Sequence, residues 1–99
     1  MSEYRFPASM PNKVTKIEPL SGFRLRIHFK DGAWGEHDFA DMMKEPGPML
    51  DPLRDPAYFA RVHLDHGAPT WPNEYDMCPD WVRMTLEEAG ELRANAAAE

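Results

Sequence analysis

The run Phe23-Arg24-Leu25-Arg26-Ile27-His28-Phe29-Lys30-Asp31-Gly32 carries an apolar residue at every second position, with Arg, His or Lys between them. A period of two puts Phe23, Leu25, Ile27 and Phe29 on one face of an extended strand, and Arg24, Arg26, His28 and Lys30 on the other. A helix would scatter both sets around its axis, so the pattern predicts a strand with one buried face. Lys30-Asp31-Gly32 supplies its turn, and the chain returns through Trp34 to Phe39.

Charge pattern selects the register of this hairpin. With Asp31-Gly32 as a two-residue loop, Ile27 would face Glu36 and Leu25 would face Asp38, setting acids against the apolar face. A three-residue loop, Lys30-Asp31-Gly32 with Gly32 in the left-handed position, instead places Arg26 opposite Glu36, Arg24 opposite Asp38 and Phe23 opposite Phe39. Exposed cross-strand ion pairs contribute only about 0.2–1 kcal/mol each. They select register because the slipped pairing would bury charge. The same register sets Trp34 beside His28 on the polar face and His37 beside Leu25 on the apolar face.

Upstream, β-branched Val14, Thr15 and Ile17 before Pro19 read as a strand, with a bulge near Lys16 to reconcile the three-residue apolar spacing. Downstream, Asp38 is placed to cap a short turn through Met42 and Met43, ended by Pro46-Gly47-Pro48. Asp51-Pro52 and Asp55-Pro56 each resemble a cap followed by proline in a first helical turn. Tyr58 and Phe59 then pack onto the sheet. Val62 to Asp65 alternates as a fourth strand, Asp65-His66-Gly67 turns, and Ala68 to Trp71 forms a fifth that Pro72 closes. Pro79 and Asp80 open a final helix expected to run to about Arg93, with Trp81, Thr85, Ala89 and Leu92 at helical spacing and Val82 and Leu86 beside them. The expected fold is therefore α+β: one domain over 13–94, with a curved antiparallel sheet of about five short strands, short helices and a C-terminal helix. Residues 1–12 read as a flexible arm and 95–99 as a frayed tail.

The 99 residues suit one small domain, and 42% hydrophobic with 28% charged residues is an ordinary globular composition. A net charge of −6 disfavours non-specific binding to nucleic acid or anionic membrane. The single cysteine, Cys78, excludes an intramolecular disulfide and a cysteine zinc cluster, which suits a reducing cytoplasm. No apolar run reaches the roughly 18 residues of a membrane span, so a cytoplasmic protein is expected.

Four segments in order carry a family likeness: Pro11, Val14, Ile17, Pro19 and Leu20; then Leu25-x-Ile27-x-Phe29-x-Asp31-Gly32; then Leu53-Arg54-Asp55-Pro56-x-x-Phe59; then Trp71-Pro72-Asn73-x-x-Asp76. Together they resemble the bacterial domain-of-unknown-function family 2442, over about Pro11 to Val82. The resemblance implies a compact α+β domain with a curved antiparallel sheet and no established enzyme activity. Some relatives are fused to a helix-turn-helix DNA-binding domain. Others are encoded beside a second small protein, a setting that suggests toxin–antitoxin pairs. This chain departs after Trp81, where one helix and a tail leave too little for a helix-turn-helix.

Candidate chemistry is sparse. His63, Asp65 and His66 gather near one turn, but no second pair of ligands has a defining spacing, so no metal is assigned. His37 reads as a core histidine. Cys78, near a helix start, has no His placed beside it by the sequence. Phosphate loops, serine elbows and H-E-x-x-H helices are absent, so no catalytic residue, enzyme activity or cofactor is expected. The binding candidates are Trp71, Asn73 and Asp76 in the loop before the last helix, and Arg24, Arg26 and Trp34 on the polar strand face. For the loop, turn and cap chemistry is the stronger reading, and Trp71 should seal the core. The expected function is protein interaction, as an antitoxin-like member of a two-protein module or as a homo-oligomer, with a basic protein partner suited to the acidic chain. The alternative is a nucleic-acid-associated regulator using the Arg24, Arg26, His28 and Lys30 face with Trp34 for stacking.

Overall fold

A computed structural model describes residues 13–93. The arm at 1–12 and the tail at 95–99 lie outside the described residues. Three strands, β1 (Val14–Pro19), β2 (Arg24–Phe29) and β3 (Trp34–Asp38), form an antiparallel sheet in the order β1-β2-β3. Three single 3₁₀ turns follow, at Met42–Lys44, Pro48–Leu50 and Pro52–Arg54, and then the four-residue helix α1 (Pro56–Phe59). A hairpin of β4 (His63–Asp65) and β5 (Ala68–Thr70) precedes the ten-residue helix α2 (Pro79–Glu88). The fold class is the expected α+β, with the five strands split into sheets of three and two. The split follows from short strands, only three residues each in β4 and β5, and from Pro69, which has no N–H to donate. The small hairpin meets β1 through the Val14 N–H donating to the Gly67 carbonyl at 2.9 Å.

The register between β2 and β3 is that of the three-residue loop: Arg26 faces Glu36, Leu25 faces His37 and His28 faces Trp34. Gly32 takes φ 94°, a left-handed conformation costly for residues with a Cβ. The bulge near Lys16 is present as a register shift between Val14 and Lys16 against β2. One ion pair differs from expectation. Arg24 faces Asp38 across the ladder, yet its guanidinium reaches diagonally to Glu36 at 2.9 Å, because the Asp38 carboxylate accepts the Ala40 N–H at 2.9 Å.

Leu25, Ile27, Leu53, Phe59, Trp71, Val82 and Leu86 are fully buried. Phe59 links the halves of this core, meeting Phe23 edge-on at 5.2 Å and Trp71 at 5.3 Å. On α2 the buried face runs through Val82 and Leu86, while Trp81 is 43% exposed; the stripe led by Trp81 and Thr85 is turned toward the edge of the core. The helix also ends earlier than Arg93. Gly90 at φ 72° donates to the Glu87 carbonyl, and Glu91 N–H donates to the Leu86 carbonyl at 2.8 Å, the paired bonds of a glycine-terminated helix. Residues 91–93 then run as a short extended segment along β3, where Trp34 and Arg93 exchange backbone bonds of 2.9 and 2.7 Å.

Asp31 joins the first hairpin to α2. Its carboxylate accepts the Ala33 N–H at 3.1 Å and binds both terminal nitrogens of Arg83 at 3.0–3.1 Å, and the Arg83 guanidinium lies 5.2 Å from the centre of the Phe29 ring. The Arg83 hydrogen bond, above all, holds the Asp31 carboxyl below its ordinary value. A lowered folded-state pKa contributes stability that is present above the unfolded value, about 3.9, and lost as pH falls through the folded one. Asp31→Asn should therefore cost about 1 kcal/mol at pH 7 by loss of a charge-assisted contact at a partly exposed site. In urea titrations the gap between variant and wild type should narrow steadily as pH falls below about 4; a gap unchanged with pH would contradict this role.

Candidate functional site

The loop between β5 and α2 begins where Trp71 sinks into the core. Its indole N–H donates to the Phe59 carbonyl at 2.9 Å, and the ring is fully buried. Backbone bonds then fold the loop on itself: Trp71 N–H to the Tyr75 carbonyl, 2.9 Å, and Glu74 N–H to the Trp71 carbonyl, 2.8 Å. Glu74 takes φ 72° to make this turn. Asn73 fixes the loop from both ends of its amide, donating to the Met49 carbonyl at 3.0 Å and accepting the Tyr75 N–H at 3.2 Å. Among the loop candidates, Trp71 and Asn73 are thus engaged in building the turn. Asp76 is exposed and lines a cleft.

That cleft, of about 500 Å³, lies between β3, the 3₁₀ turn at Met42–Lys44, the 75–78 loop and α2. Its volume falls within the range of about 300–1,000 Å³ typical of ligand pockets. Phe39, Met42, Met77 and Trp81 supply apolar lining, and Asp38, Asp41, Glu45 and Asp76 supply carboxylates; no lysine or arginine lines it. Phe39 and Trp81 lie 6.4 Å apart, ring centre to ring centre. Tyr75 reaches the cleft from the loop, and its phenol is held above the ordinary value, first by burial and then by the charge of Asp76. Arg54 secures the wall at Met42–Glu45, donating through Nε to the Met43 carbonyl at 2.8 Å and through a terminal nitrogen to the Glu45 carbonyl. It also pairs with Asp51, which starts its turn without capping it through its side chain.

His37 stands at the same cleft. Its ring packs edge-on against Phe39 at 4.6 Å, and its Nδ1 lies 2.6 Å from a Glu91 carboxylate oxygen. The expected core histidine is thus partly exposed and tied to the segment after α2.

The polar sheet face gathers the other candidates. Arg26 sits between Glu36 at 2.7 Å and Glu18 at 3.3 Å, and Arg24 shares Glu36. Glu36 is held below the ordinary carboxylate range, chiefly by its hydrogen bond from Arg26. Trp34 has His28 stacked beside it, centres 6.1 Å apart, and the Arg93 guanidinium 5.6 Å from its centre. A shallower depression of about 320 Å³ is lined by Arg24, Trp34, Glu36, Glu91 and Arg93. Lys30 is exposed in the hairpin loop. The structure therefore brings Arg24, Arg26 and Trp34 together, with their charges and ring already engaged, and sets Asp76 apart in the acidic cleft.

Sequence reading did not find the cleft. Its lining spans His37 to Thr85, and only Asp76 was among the binding candidates. His63, Asp65 and His66 do not form a ligand set: among the described residues no group of three or more His, Cys, Asp or Glu is placed to hold a metal. No helix among them is long and apolar enough to cross a membrane.

Split antiparallel sheets, 3₁₀ turns and one closing helix with a cleft at its start define a small α+β domain. The chain belongs to the family "Protein of unknown function (DUF2442)", whose model matches residues 14–84. Among solved structures it is similar to "Putative DNA Binding Protein NE0471" from Nitrosomonas europaea ATCC 19718, at 32% identity and a TM-score of 0.65. The likeness covers 79% of this chain and 51% of that one, so this chain spans about half the length of its structural relative. No curated protein matches.

Proposed function

We propose that this domain is a protein-interaction module of the cytoplasm, as in a two-protein antitoxin-like system, and that it acts through the cleft beside α2. The observation that carries the reading is an apolar cleft open at the surface, with Trp81 still 43% exposed and Met84, one helical turn on, 52% exposed. Large apolar side chains left in solvent around a concave site mark interaction surfaces more than catalytic ones. His37 and Cys78 both line the cleft, but the His37 ring is turned to Glu91 at 2.6 Å, so the reading is an interaction role and no enzyme activity is proposed.

The relative's name bears on a second reading, nucleic acid at the polar sheet face, without deciding for it. Against it, Arg24 and Arg26 are neutralised by Glu36 and Glu18, and the ring of Trp34 has His28 and Arg93 against it. Base stacking there would have to displace both neighbours.

Mixing the protein with the product of the gene encoded beside its own, and measuring mass by light scattering, tests the choice. A complex is expected, lost in Trp81→Asp and kept in an Arg24→Glu, Arg26→Glu double variant. No complex and no self-association, together with salt-sensitive binding of single-stranded DNA abolished by that double variant, would overturn the reading.

A further inference from the structure

We propose that the cleft beside α2 docks a basic side chain, arginine or lysine, presented on a short apolar segment of a partner protein. The proposal rests on the interaction reading above and names the partner's chemistry.

The cleft is lined by four carboxylates, Asp38, Asp41, Glu45 and Asp76, and by no lysine or arginine; the His37 ring, also in the lining, is turned to Glu91 at 2.6 Å. Aromatic rings stand among them, Phe39, Tyr75 and Trp81. A ring face attracts an ammonium or guanidinium through its quadrupole, and a carboxylate attracts the same group by charge. The aliphatic stem of lysine or arginine can lie along apolar surface while its head reaches a carboxylate at the rim. A phosphate or carboxylate ligand would meet four acids and no lysine or arginine, with His37 already held by Glu91. A wholly apolar ligand would strip water from those acids without replacing it.

Neutralisation from within the chain is weak. Asp41 lies 3.3 Å from Lys44, but their side chains are 96% and 79% exposed, leaving the pair open to exchange. Asp38 accepts one backbone N–H from Ala40 and keeps further lone pairs. The whole-chain charge of −6 draws a basic partner in the same direction. The occupant is a segment of protein, not a small free amine, because apolar surface continues past the cleft along α2 to Met84.

Fluorescence anisotropy with the full chain tests this. The probes are a fluorescein-labelled nonapeptide alternating leucine with arginine, the same peptide with citrulline for each arginine, and labelled spermidine. The arginine peptide should bind at least tenfold tighter than either alternative. Binding should weaken at least tenfold in an Asp41→Asn, Asp76→Asn double variant and in Trp81→Ala, and stay unchanged in a Glu18→Gln, Glu36→Gln double variant on the sheet face. All variants alter exposed or half-exposed side chains, and a thermal melt checks that each is folded. Equal binding of the citrulline peptide, with loss in Trp81→Ala, would overturn the cationic occupant while leaving the interaction reading standing. Spermidine binding as tightly as the peptide, loss in the sheet-face variant, or no binding of the arginine peptide would also overturn the proposal; the complex measured by light scattering reports separately on the reading beneath it.

Discussion

Trp71→Ala should destabilise the domain by about 3–5 kcal/mol, the range for removing a fully buried large aromatic side chain. Trp71 has no exposed surface, contacts Phe59 at 5.3 Å and Tyr75 at 5.9 Å, and donates its indole N–H to the Phe59 carbonyl. Small domains hold only about 5–15 kcal/mol in all, so the variant should be largely unfolded well below the wild-type midpoint. Trp71→Phe separates the causes. It keeps most of the volume and removes the donor, leaving a buried carbonyl with one partner fewer, at about 1–3 kcal/mol. Urea titration followed by circular dichroism measures both. A loss under about 1 kcal/mol for the alanine variant would show that the loop is held from elsewhere.

Gly35→Ala is the second large effect, expected at about 1–3 kcal/mol through overpacking. A Cβ at Gly35 would sit 2.5 Å from the Glu91 carbonyl oxygen and 3.4 Å from a Leu86 methyl. The obstacle is backbone, so no side chain can swing aside. The segment 91–93 must move away from β3, breaking the paired bonds between Trp34 and Arg93 and drawing Glu91 from His37. Amide hydrogen exchange gives the specific sign: protection at Trp34 and Arg93 should fall by more than the global change in stability accounts for. Unchanged protection at both amides would mean that the approach of the two segments is not what holds Gly35 small.

These two positions also show how far a single sequence can be read. The hairpin register was legible because charge and apolarity alternate strictly from Phe23 to Phe29 and only one loop length keeps acids off the apolar face. Trp71 as a core seal was legible because its neighbours Pro72, Asn73 and Pro79 are turn formers with little other use. The end of α2 was not. Gly90 signalled a weak point, but whether glycine bends or ends a helix depends on what lies beyond it, and here β3 offers backbone partners to residues 91–93. The cleft was illegible for a related reason. Asp38 and Asp76 read locally as cap and turn residues, and Asp41 and Glu45 carry no local pattern of their own. Their shared position arises from packing the 75–78 loop against the turn at Met42–Lys44, a long-range contact without a local pattern. The contact of His37 with Glu91, 54 residues apart in sequence, is of the same kind.

The offset of the strand-face candidates was legible as well. The register read from the sequence already set Glu36 opposite Arg26 and Asp38 opposite Arg24, and the structure keeps the first pairing and moves Arg24 to Glu36. Neutralisation of this kind is visible only when the register is known, since Glu36 serves both arginines only when it faces Arg26. A charged stripe on a strand is thus weak evidence for a polyanion partner until the neighbouring strand has been placed.

The central claim is that partners meet this domain at the acidic cleft beside α2 and not at the polar face of the sheet. Heteronuclear NMR of the labelled protein, titrated with the unlabelled leucine–arginine nonapeptide and separately with a single-stranded oligonucleotide, tests it most directly. The peptide should shift the amide resonances of Met42, Asp76, Met77 and the indole of Trp81, and leave Arg24, Arg26 and the indole of Trp34 in place. The oligonucleotide should shift neither set at physiological salt. Shifts confined to Arg24, Arg26 and Trp34 on adding the oligonucleotide, with no response at the cleft to the peptide, would contradict the account.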